Sequence, residues 1–324
     1  MTRAYGSPHV LVTRDFPTPS IAAWEILVEV HAGGVTAGDI RLRTADFPGV
    51  SAVIGRLMFG IFGPRRPIQG TTFAGRVVQV GAQVTKFAVG DDVFGSVDGG
   101  AYAQYLQISA DGAVAKTPGR LSGDEAAAIP YGAGTALHFL KEIAELLPGE
   151  KVLVLGASGG VGRFAVQIAK HLGAEVTAVC GRAGFSMVRE LGADHLIDHR
   201  CEDFTRNGQR YDVILDIADA SSFAHSRSSL TQSGRYLTLY VSVRVLAQMA
   251  WTGLRGGPRA LFSVAVPGQE QMRALGELAT QGLLRPVMAE SYTLEKIALA
   301  HAAVESGDLH ANVVVRPCAA VASC

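Results

Sequence analysis

The stretch that decides the fold is "VLVLGASGGVG", residues 152–162, in which an apolar run leads into a glycine-rich turn. The usual dinucleotide fingerprint is G-x-G-x-x-G, and here Ala157 takes its first place while Gly159 and Gly162 take the other two. We expect alanine to be tolerated at 157 wherever φ stays negative, because that position shapes the turn without touching a ligand. The stretch therefore predicts a strand that leads into a phosphate-binding helix N-terminus.

The residues around this turn alternate between strand and helix patterns. Strands are predicted at 152–156, 175–180, 194–197, 211–216 and 235–241, and helices at 160–173, 183–192 and 221–230. Such alternation indicates a parallel sheet with right-handed crossovers, hence a doubly wound α/β fold. A second strand follows the glycine turn within about 30 residues, as dinucleotide binding requires.

The flanking residues have a different pattern. Residues 1–120 contain β-branched runs broken by Gly and Pro, which predict strands of a mixed, barrel-like unit at 24–35, 70–81, 91–97 and 101–108. A helical segment over 122–150 follows, with Ser122 and Glu125 as a capping box. Beyond residue 265 the patterns predict helices at 268–282 and 293–307 and a strand at 311–317.

Composition narrows the class of protein. The chain has 324 residues and a formal net charge of zero, which suggests two domains and gives no electrostatic reason to expect nucleic acid. Its most apolar window, 50–63, is too short and too glycine-broken to span a bilayer, and residues 1–5 lack a signal-peptide pattern. The four cysteines have no C-x-x-C spacing. We therefore expect a cytoplasmic protein with no membrane partner.

The glycine turn suits a pyrophosphate. Gly159 and Gly160 let the backbone approach the phosphates, and Gly162 lets the helix pack on the strand. The free N–H groups at the helix start, over Ser158 to Val161, then bind the anion with the helix dipole behind them. A glycine-rich turn without a ligand is the alternative interpretation.

The end of the second strand decides which nicotinamide cofactor fits. An NAD enzyme places Asp or Glu there to bind the ribose 2′-OH, whereas this chain has no acid between residue 176 and Glu190. Arg182 lies just beyond the strand and can pair with a 2′-phosphate through its planar fork, although a solvated loop arginine is the alternative. The sequence therefore favours NADPH.

Residues 121–179 resemble the core of the medium-chain dehydrogenase/reductase superfamily, and residues 35–43, 68–95 and 307–315 extend the resemblance to nearly the whole chain. The resemblance implies a GroES-like catalytic domain interrupted by a Rossmann domain. The expected boundaries are 1–120 for the first part of the catalytic domain, 121–265 for the Rossmann domain and 266–324 for the rest. A helix at 122–147 would join the two domains.

Within that superfamily, the chain resembles the zinc-free quinone oxidoreductase and enoyl reductase branch. Zinc-dependent members read Gly-His-Glu where this chain reads Gly70-Thr71-Thr72, and this chain has no cysteine before Cys180. Threonine cannot replace imidazole or carboxylate as a zinc ligand, so no bound metal is expected. The branch transfers hydride from NADPH to a quinone or a conjugated C=C–C=O system, and its members form homodimers.

The resemblance also implies roles for single residues. Thr135 matches the threonine at the nicotinamide end of the cofactor, Ser158 to Val161 match the pyrophosphate loop, and Asn312 falls where the family brings a side chain towards the cofactor. The 2′-phosphate pocket departs from the family, with Arg182 displaced by one position, so His199 or Arg200 can share the role. The cofactor-binding candidates are Thr135, Ser158, Gly159, Gly160, Val161, Gly181, Arg182, His199, Tyr240 and Asn312.

The catalytic candidates are Asp39 and Tyr131. Relatives read Asn-Pro-x-Asp where this chain reads Thr36-Ala37-Gly38-Asp39, and a tyrosine that often follows is replaced by Phe47. Asp39 is either catalytic or structural, paired with Arg41 or Arg43. Tyr131, four residues before Thr135, is either the proton donor or an anchor between the domains.

An apolar insertion at 47–67 suggests the substrate. It carries Met58 and Phe59 and ends in Arg65 and Arg66, which would meet an anionic tail or be solvated. The segment is either a lid over an adaptable apolar pocket or a satellite core. The lid interpretation predicts a bulky, apolar conjugated carbonyl or quinone.

Three functions remain open from the sequence. They are an NADPH-dependent reductase, a non-catalytic protein that keeps the cofactor fold, and a biosynthetic enzyme of non-redox chemistry such as cyclisation. A homodimer is also expected, because the apolar stretch 237–266 would end in a strand at the edge of the Rossmann sheet, where an unpaired ladder invites a partner.

Overall fold

A computed structural model describes residues 1–46 and 51–317, and of residues 51–54 it describes the backbone alone. The chain divides into two compact units. The first comprises Met1–Asp46, Val53–Gly134 and the chain from Pro267 onward, and the second is built mainly of Thr135–Val266. The domain boundaries expected at 120 and 265 stay predictions.

The strands are, in chain order, β1 (Glu25–Val35), β2 (Thr72–Val80), β3 (Asp92–Ser96), β4 (Tyr105–Ser109), β5 (Val114–Lys116), β6 (Lys151–Leu155), β7 (Glu175–Cys180), β8 (His195–Asp198), β9 (Tyr211–Asp216), β10 (Leu230–Thr238), β11 (Arg259–Phe262), β12 (Tyr292–Thr293) and β13 (Val313–Arg316).

The α-helices are α1 (Ala37–Thr44), α2 (Ser51–Phe59), α3 (Gly123–Leu137), α4 (Gly162–His171), α5 (Phe185–Glu190), α6 (Phe223–Ser226), α7 (Val243–Leu254), α8 (Gln269–Thr280) and α9 (Ile297–Glu305). A π-helical segment, His138–Ile143, continues α3. Within the described part of the chain, no helix is long and apolar enough to cross a membrane.

The second unit is built on a parallel sheet with the strand order β11-β10-β9-β6-β7-β8. Its central strands are buried, as Leu153 and Ile214 show, and α4 covers one face with Ile168. In register, Leu155 of β6 lies beside Val179 of β7 and Asp216 of β9. The carboxyl ends of these strands therefore meet at one edge, where doubly wound folds bind ligands.

The first unit is built on a mixed sheet with the order β12-β13-β1-β2-β3-β5, in which β4 also pairs with β1. The bulged strand β1 pairs antiparallel with β2, β4 and β13, and β12 pairs parallel with β13. Ile26, Val28 and Phe73 are fully buried in its core. The fold class expected from the sequence is confirmed, and the strand pairings among the described residues do not close into a barrel.

Several predicted elements are correct and several are wrong. The strands 175–180 and 211–216 are confirmed to the residue, as is the capping box, in which Ser122 N donates to Glu125 and Glu125 N donates back to Ser122 Oγ. The helix predicted over 221–230 is wrong: α6 ends at Ser226, a 3₁₀ turn follows, and Leu230 begins β10. Its serines favour caps and turns over a helix interior.

Other boundaries also shift. The helix predicted over 183–192 is a 3₁₀ turn followed by the shorter α5, and the strand predicted at 101–108 begins only at Tyr105. The stretch 237–266 contains a helix, α7, which the sequence reading missed because a short apolar run does not distinguish helix from strand. Its final strand, β11, does lie at the edge of the parallel sheet, as expected.

Candidate functional site

The glycine turn between β6 and α4 has the backbone conformation that the fingerprint requires. Gly156 takes a left-handed φ of 83°, whereas Ala157 stays outside that region and is fully buried. The tight bend is thus made one residue before the alanine. This explains why alanine is acceptable at the first place of the fingerprint.

The other glycines divide into two roles. A Cβ built on Gly162 would lie 2.2 Å from the Gly156 carbonyl oxygen, so only glycine lets α4 start this close to β6. At Gly160, by contrast, the structure puts no described atom within 4 Å of that position. Gly162 therefore serves packing, and Gly160 leaves the backbone open to a ligand.

A buried arginine that the sequence analysis missed supports the turn. Arg163 is 2% exposed, and its Nη1 donates to the Ser158 carbonyl at 2.9 Å. Burial lowers the pKa of Arg163 to about 10, which still leaves it charged near neutral pH. The guanidinium fixes the loop that carries the candidate phosphate-binding N–H groups. The available signal was a charged residue directly after the glycine motif, in the first turn of the helix.

The end of β7 brings the candidate 2′-phosphate residues together. The ring of His199 lies beside Gly181, whose built Cβ would be 3.6 Å from His199 Cε1. The Arg182 side chain is 82% exposed, and its Nε lies 3.8 Å from Asp198 Oδ2. The sequence argument overlooked Asp198, because this acid comes from the neighbouring strand, where it pairs in register with Cys180. This end of β7 therefore carries both a positive and a negative side chain.

A second carboxylate organises the turn after β9. Asp216 accepts hydrogen bonds from the N–H groups of Ala218, Ala220 and Ser221 and from the Tyr236 hydroxyl, at 2.8–3.2 Å. Burial raises the pKa of Asp216, and these hydrogen bonds oppose the rise. The signal in the sequence was an acid that ends a buried strand.

This turn lies against the glycine turn. A Cβ on Gly156 would come within 2.9 Å of Ala218 Cβ. The candidate Tyr240 is part of the same cluster, since its hydroxyl donates to the Ile217 carbonyl at 3.1 Å. Asp216 thus positions a loop that borders the candidate pyrophosphate site. Thr135 also belongs to this unit, near the end of α3.

In the first unit, Asp39 is a buried capping residue. It is the third residue of α1, and its Oδ2 accepts from the Thr36 N–H at 2.9 Å and the Thr36 hydroxyl at 2.6 Å. Its Oδ1 accepts from the Thr71 hydroxyl at 2.9 Å. Burial raises the pKa of Asp39, while the hydrogen bonds from Thr36 and Thr71 oppose the rise. Both oxygens are engaged, which favours the structural interpretation.

Arg43, named above as a partner for Asp39, has other contacts. Its side chain is fully buried and donates to the Gly6 carbonyl and, at 2.7 Å, to Glu305 on α9. Tyr131 packs on α1, since a Cβ on Gly38 would lie 2.7 Å from its ring carbon Cε2. The glycine at 38 is thus what lets the two helices approach at the candidate proton donor.

A cavity of about 360 Å³ opens beside Asp39 and contains the predicted lid residues. Its lining includes Thr71, the hydroxyl donor to Asp39, together with the partly exposed Met58 and Phe59. The full lining is Leu42, Met58, Phe59, Pro64, Arg65, Arg66, Gln69, Gly70, Thr71, Asp98 and Gly99. Phe47 lies outside the described residues.

The last two candidates concern Asn312 and metal. Asn312 belongs to the first unit, where its N–H donates to the Val287 carbonyl at 2.6 Å. Within residues 1–46 and 51–317, there is no cluster of three or more His, Cys, Asp or Glu side chains that could hold a metal ion.

Two family models match parts of this chain. Residues 22–119 match the alcohol dehydrogenase GroES-like domain, and residues 191–315 match the zinc-binding dehydrogenase family. The chain is 30% identical over 330 residues to the chloroplastic quinone-oxidoreductase QR1 of Triphysaria versicolor, a match that covers 97% of this chain and 95% of that protein.

Two solved structures have the same fold along nearly the whole chain. The quinone oxidoreductase from Coxiella burnetii has a TM-score of 0.84 at 26% identity, and the match covers 97% of each chain. The CurK enoyl reductase has a TM-score of 0.83 at 25% identity, again with 97% of each chain covered.

Proposed function

The chain belongs to the medium-chain dehydrogenase/reductase superfamily, in its quinone oxidoreductase and enoyl reductase branch, and on that premise we propose that it is an NADPH-dependent reductase of bulky, apolar conjugated carbonyl compounds or quinones. The observation that carries the proposal is the glycine turn. At Gly160 the backbone is open on the side where a Cβ would point, and the turn feeds the N-terminus of α4.

The residues of the second unit fit a dinucleotide. Ser158, Gly160 and Val161 would bind the pyrophosphate through backbone N–H groups, and Arg163 holds the Ser158 carbonyl in place. Gly159, whose own N–H donates to the Gly156 carbonyl at 3.0 Å, would let the backbone approach the phosphates. Thr135 and Tyr240 would bind the nicotinamide half of the cofactor, and Asn312 is proposed as a further cofactor-binding residue. The bound cofactor would supply a hydride, and the protein contributes orientation and an apolar environment.

The preference for NADPH is supported by three basic or titratable side chains. The Arg182 side chain is 82% exposed and lies 3.8 Å from Asp198, a loose ion pair that lets it turn towards a 2′-phosphate. His199 lies beside Gly181, and Arg200 follows it in the chain. Asp198 opposes them, since a carboxylate repels a phosphate and can bind a ribose hydroxyl.

The substrate would bind in the cavity beside Asp39. Met58 and Phe59 give it an adaptable apolar wall, and Arg65 and Arg66 would meet a polar or anionic end of the substrate. Tyr131 is the proposed proton donor, and Asp39 is proposed as a positioning residue that holds Thr71 at the cavity wall. Since Thr71 and Thr72 stand at the zinc-ligand positions of other family members, we propose chemistry without zinc.

A screen of cofactor and substrate tests this proposal. Oxidation of NADPH and of NADH is followed spectrophotometrically with a quinone, a bulky cyclic enone, a crotonyl thioester and a small aldehyde. We expect NADPH with the enone or quinone to be the fastest pair. Binding of NADPH without its oxidation by any of these compounds would instead favour a non-catalytic or non-redox protein, and equal affinity for NADPH and NADH would contradict the cofactor preference.

We also propose a homodimer built on the edge of the parallel sheet. The edge strand β11 has its outer ladder unpaired within the described residues, and the neighbouring α7 exposes Val243 and Leu254. Light scattering at micromolar concentration should give twice the chain mass. A monomer mass would contradict the proposal.

A further inference from the structure

A large part of the lining of the cavity beside Asp39 comes from one short stretch of the first unit. The end of α2 and the loop after it, residues 58–67, are called the wall segment here, and they contribute Met58, Phe59, Pro64, Arg65 and Arg66. The Arg65 N–H donates to the Phe59 carbonyl at 2.8 Å and closes the loop. The position of the wall segment therefore affects which substrates the cavity can hold.

The segment 2–6 is hydrogen-bonded to the wall segment near both of its ends. The Tyr5 hydroxyl donates to the Gly60 carbonyl at 2.7 Å, and the Thr2 N–H donates to the Pro67 carbonyl at 2.8 Å. Burial raises the pKa of Tyr5, so the hydroxyl keeps at neutral pH the proton that it donates. The segment 2–6 thus fixes the wall segment at two points.

Two packing contacts accompany these hydrogen bonds. A Cβ built on Gly63 would lie 2.3 Å from the Arg3 carbonyl oxygen, so the two backbones touch there. The Arg56 guanidinium lies over the Tyr5 ring, 5.8 Å from its centre, within the range of a cation–π interaction. Segment 2–6 therefore packs against both the wall segment and the helix that precedes it.

The same segment is also fixed to α1, which contributes Leu42 to the cavity lining. The Gly6 N–H donates to the Arg43 carbonyl at 3.2 Å, and the buried Arg43 guanidinium donates back to the Gly6 carbonyl. Glu305 on α9 pairs with that guanidinium at 2.7 Å and holds it in place. Segment 2–6 therefore connects two parts of the lining, α1 and the wall segment.

From these contacts we propose that segment 2–6 braces the wall segment against α1 and that Tyr5 determines specificity for large substrates, an inference that rests on the function proposed above. Tyr5 is not part of the cavity lining, so it is a positioning residue that acts through Gly60. A conjugated carbonyl compound or quinone with a bulky apolar substituent can touch both Leu42 and the wall segment. It binds more tightly when the wall segment is already in place, because no free energy is then lost in ordering it.

The kinetic test compares Tyr5→Phe with Tyr292→Phe. The first change removes the hydroxyl that bonds to Gly60 and keeps the ring beside Arg56, and the second makes the same change in a half-buried tyrosine of the edge strand β12. With chalcone as the large substrate, Tyr5→Phe should raise KM about threefold, the scale for one neutral hydrogen bond, and leave kcat unchanged. KM for methyl vinyl ketone should stay the same, and Tyr292→Phe should change neither. If the parent reduces only quinones, menadione and benzoquinone replace the two enones.

Gly63→Ala disturbs the same brace at a different contact. Its methyl group would push the Arg3 carbonyl away, whereas the control, Gly119→Ala, adds a Cβ with no described atom within 4 Å. We expect Gly63→Ala to raise KM for the large substrate about as much as Tyr5→Phe does. The double variant should raise it little further, because a displaced segment can no longer use the Tyr5 hydroxyl.

A readout independent of activity follows the wall segment itself. In the protein without substrate or cofactor, the Arg65 N–H is protected from hydrogen exchange while its bond to the Phe59 carbonyl stays closed. Tyr5→Phe and Gly63→Ala should each speed exchange over residues 58–67 about threefold. The two control variants should leave this exchange unchanged.

The outcomes separate this proposal from the proposed function. A parent protein that reduces none of these compounds contradicts the function and the specificity role of Tyr5 with it, whatever the exchange rates are. An active parent in which Tyr5→Phe leaves KM for the large substrate unchanged, or raises KM for both substrates equally, overturns the role of Tyr5 alone. Unchanged exchange over residues 58–67 overturns the brace, and faster exchange throughout the first unit does so too, because it indicates a general loss of stability.

Discussion

The glycine turn of the second unit and the Asp39 cavity of the first unit prepare for their ligands by opposite means. The turn presents backbone, so its contacts come from residues close together in sequence, such as Gly156 and Gly162. The cavity presents side chains from distant parts of the chain, among them Met58 and Thr71, and the Thr71 hydroxyl donates to Asp39. At the glycine turn, the allowed residues are limited by the space available for a Cβ. At the Asp39 cavity, they are limited by the need to keep each buried polar group hydrogen-bonded.

This difference has consequences for substitution. A backbone site is sensitive to any added atom and indifferent to the chemistry of side chains that point away from it. A side-chain site tolerates changes of size when the hydrogen bonds remain satisfied, because a buried polar group without a partner is what costs free energy. Substitutions in both units test this contrast.

The largest effect is expected from Gly162→Ala. The new Cβ would lie 2.2 Å from the Gly156 carbonyl oxygen and 2.7 Å from Ala157 Cα, both backbone atoms that cannot rotate away. We expect the free energy of unfolding to fall by about 3 kcal/mol, the upper range for overpacking, in the protein without cofactor. Chemical denaturation measures it.

The matched control is Gly160→Ala, two residues earlier. Its Cβ meets no described atom within 4 Å, so stability should change by no more than about 0.5 kcal/mol. NADPH binding, however, should weaken, because the methyl group occupies the approach of the pyrophosphate. Equal destabilisation by the two alanines would contradict the division of roles between these glycines.

The second unit was the more predictable of the two for the same physical reason. β7 and β9 were correct to the residue because buried parallel strands read as continuous apolar runs that end sharply. Contacts between strands could not be predicted from the sequence. Asp198 and Asp216 lie at the ends of different strands, and no local sequence pattern connects them with Gly181 or Gly156.

A smaller effect is expected from Arg182→Ala, on the cofactor and not on the fold. Loss of a charged hydrogen bond to the 2′-phosphate should cost about 1–3 kcal/mol in NADPH affinity and almost nothing in NADH affinity. Because the side chain is 82% exposed, its removal should leave the free energy of unfolding nearly unchanged. Calorimetric titration of the parent and the variant with NADPH and with NADH measures the two changes in affinity.

Asp198→Asn sharpens the same test. Removing the carboxylate that lies 3.8 Å from Arg182 should strengthen NADPH binding and leave NADH binding unchanged or weaker. If Asp198→Asn instead favours NADH, or if Arg182→Ala weakens the two cofactors equally, the charges at this strand end do not select the phosphate.

The next prediction concerns Asp39→Asn, whose effect should depend on pH. Burial raises the folded-state pKa of Asp39 above its unfolded value near 4, so the folded protein holds this proton more tightly than the unfolded chain. The contribution of Asp39 to stability is therefore greatest below about pH 4 and declines as pH rises through the folded-state pKa. At low pH the variant should be less stable by about 1 kcal/mol, the scale for a lost helix cap.

Denaturant unfolding of both proteins from about pH 4 to pH 8 gives the difference directly. It should move in favour of the asparagine variant as pH rises. A difference that stays constant, or that moves in favour of the parent, would contradict the raised pKa and would mean that the hydrogen bonds from Thr36 and Thr71 outweigh burial.

In the first unit, candidate pocket residues could be predicted from the sequence, but their contacts with one another could not. The lid residues Met58 and Phe59 were named as pocket residues from their chemistry, and they do line a cavity. The cap at Thr36 follows a local rule, but the bond from Asp39 to Thr71 spans 32 positions, and that of Arg43 to Glu305 spans 262. Such contacts depend on how the sheet is assembled, which no periodicity in one segment encodes.

The smallest effect is expected from replacing Met58 and Phe59 together with alanine. Met58 is 61% exposed and Phe59 is 36% exposed, so an apolar substrate that covers them would bury only that exposed part of their surface. The loss should raise KM for a bulky enone about fivefold and leave kcat nearly unchanged, because the contact is equally present in the ground state and the transition state. NADPH affinity should stay the same, since the glycine turn lies in the other unit. A matched control is Leu57→Ala, a neighbouring exposed residue of α2 that is not part of the cavity lining. If the control raises KM as much, or if the double variant weakens NADPH binding, α2 acts as a packing element and the cavity beside Asp39 does not select the substrate.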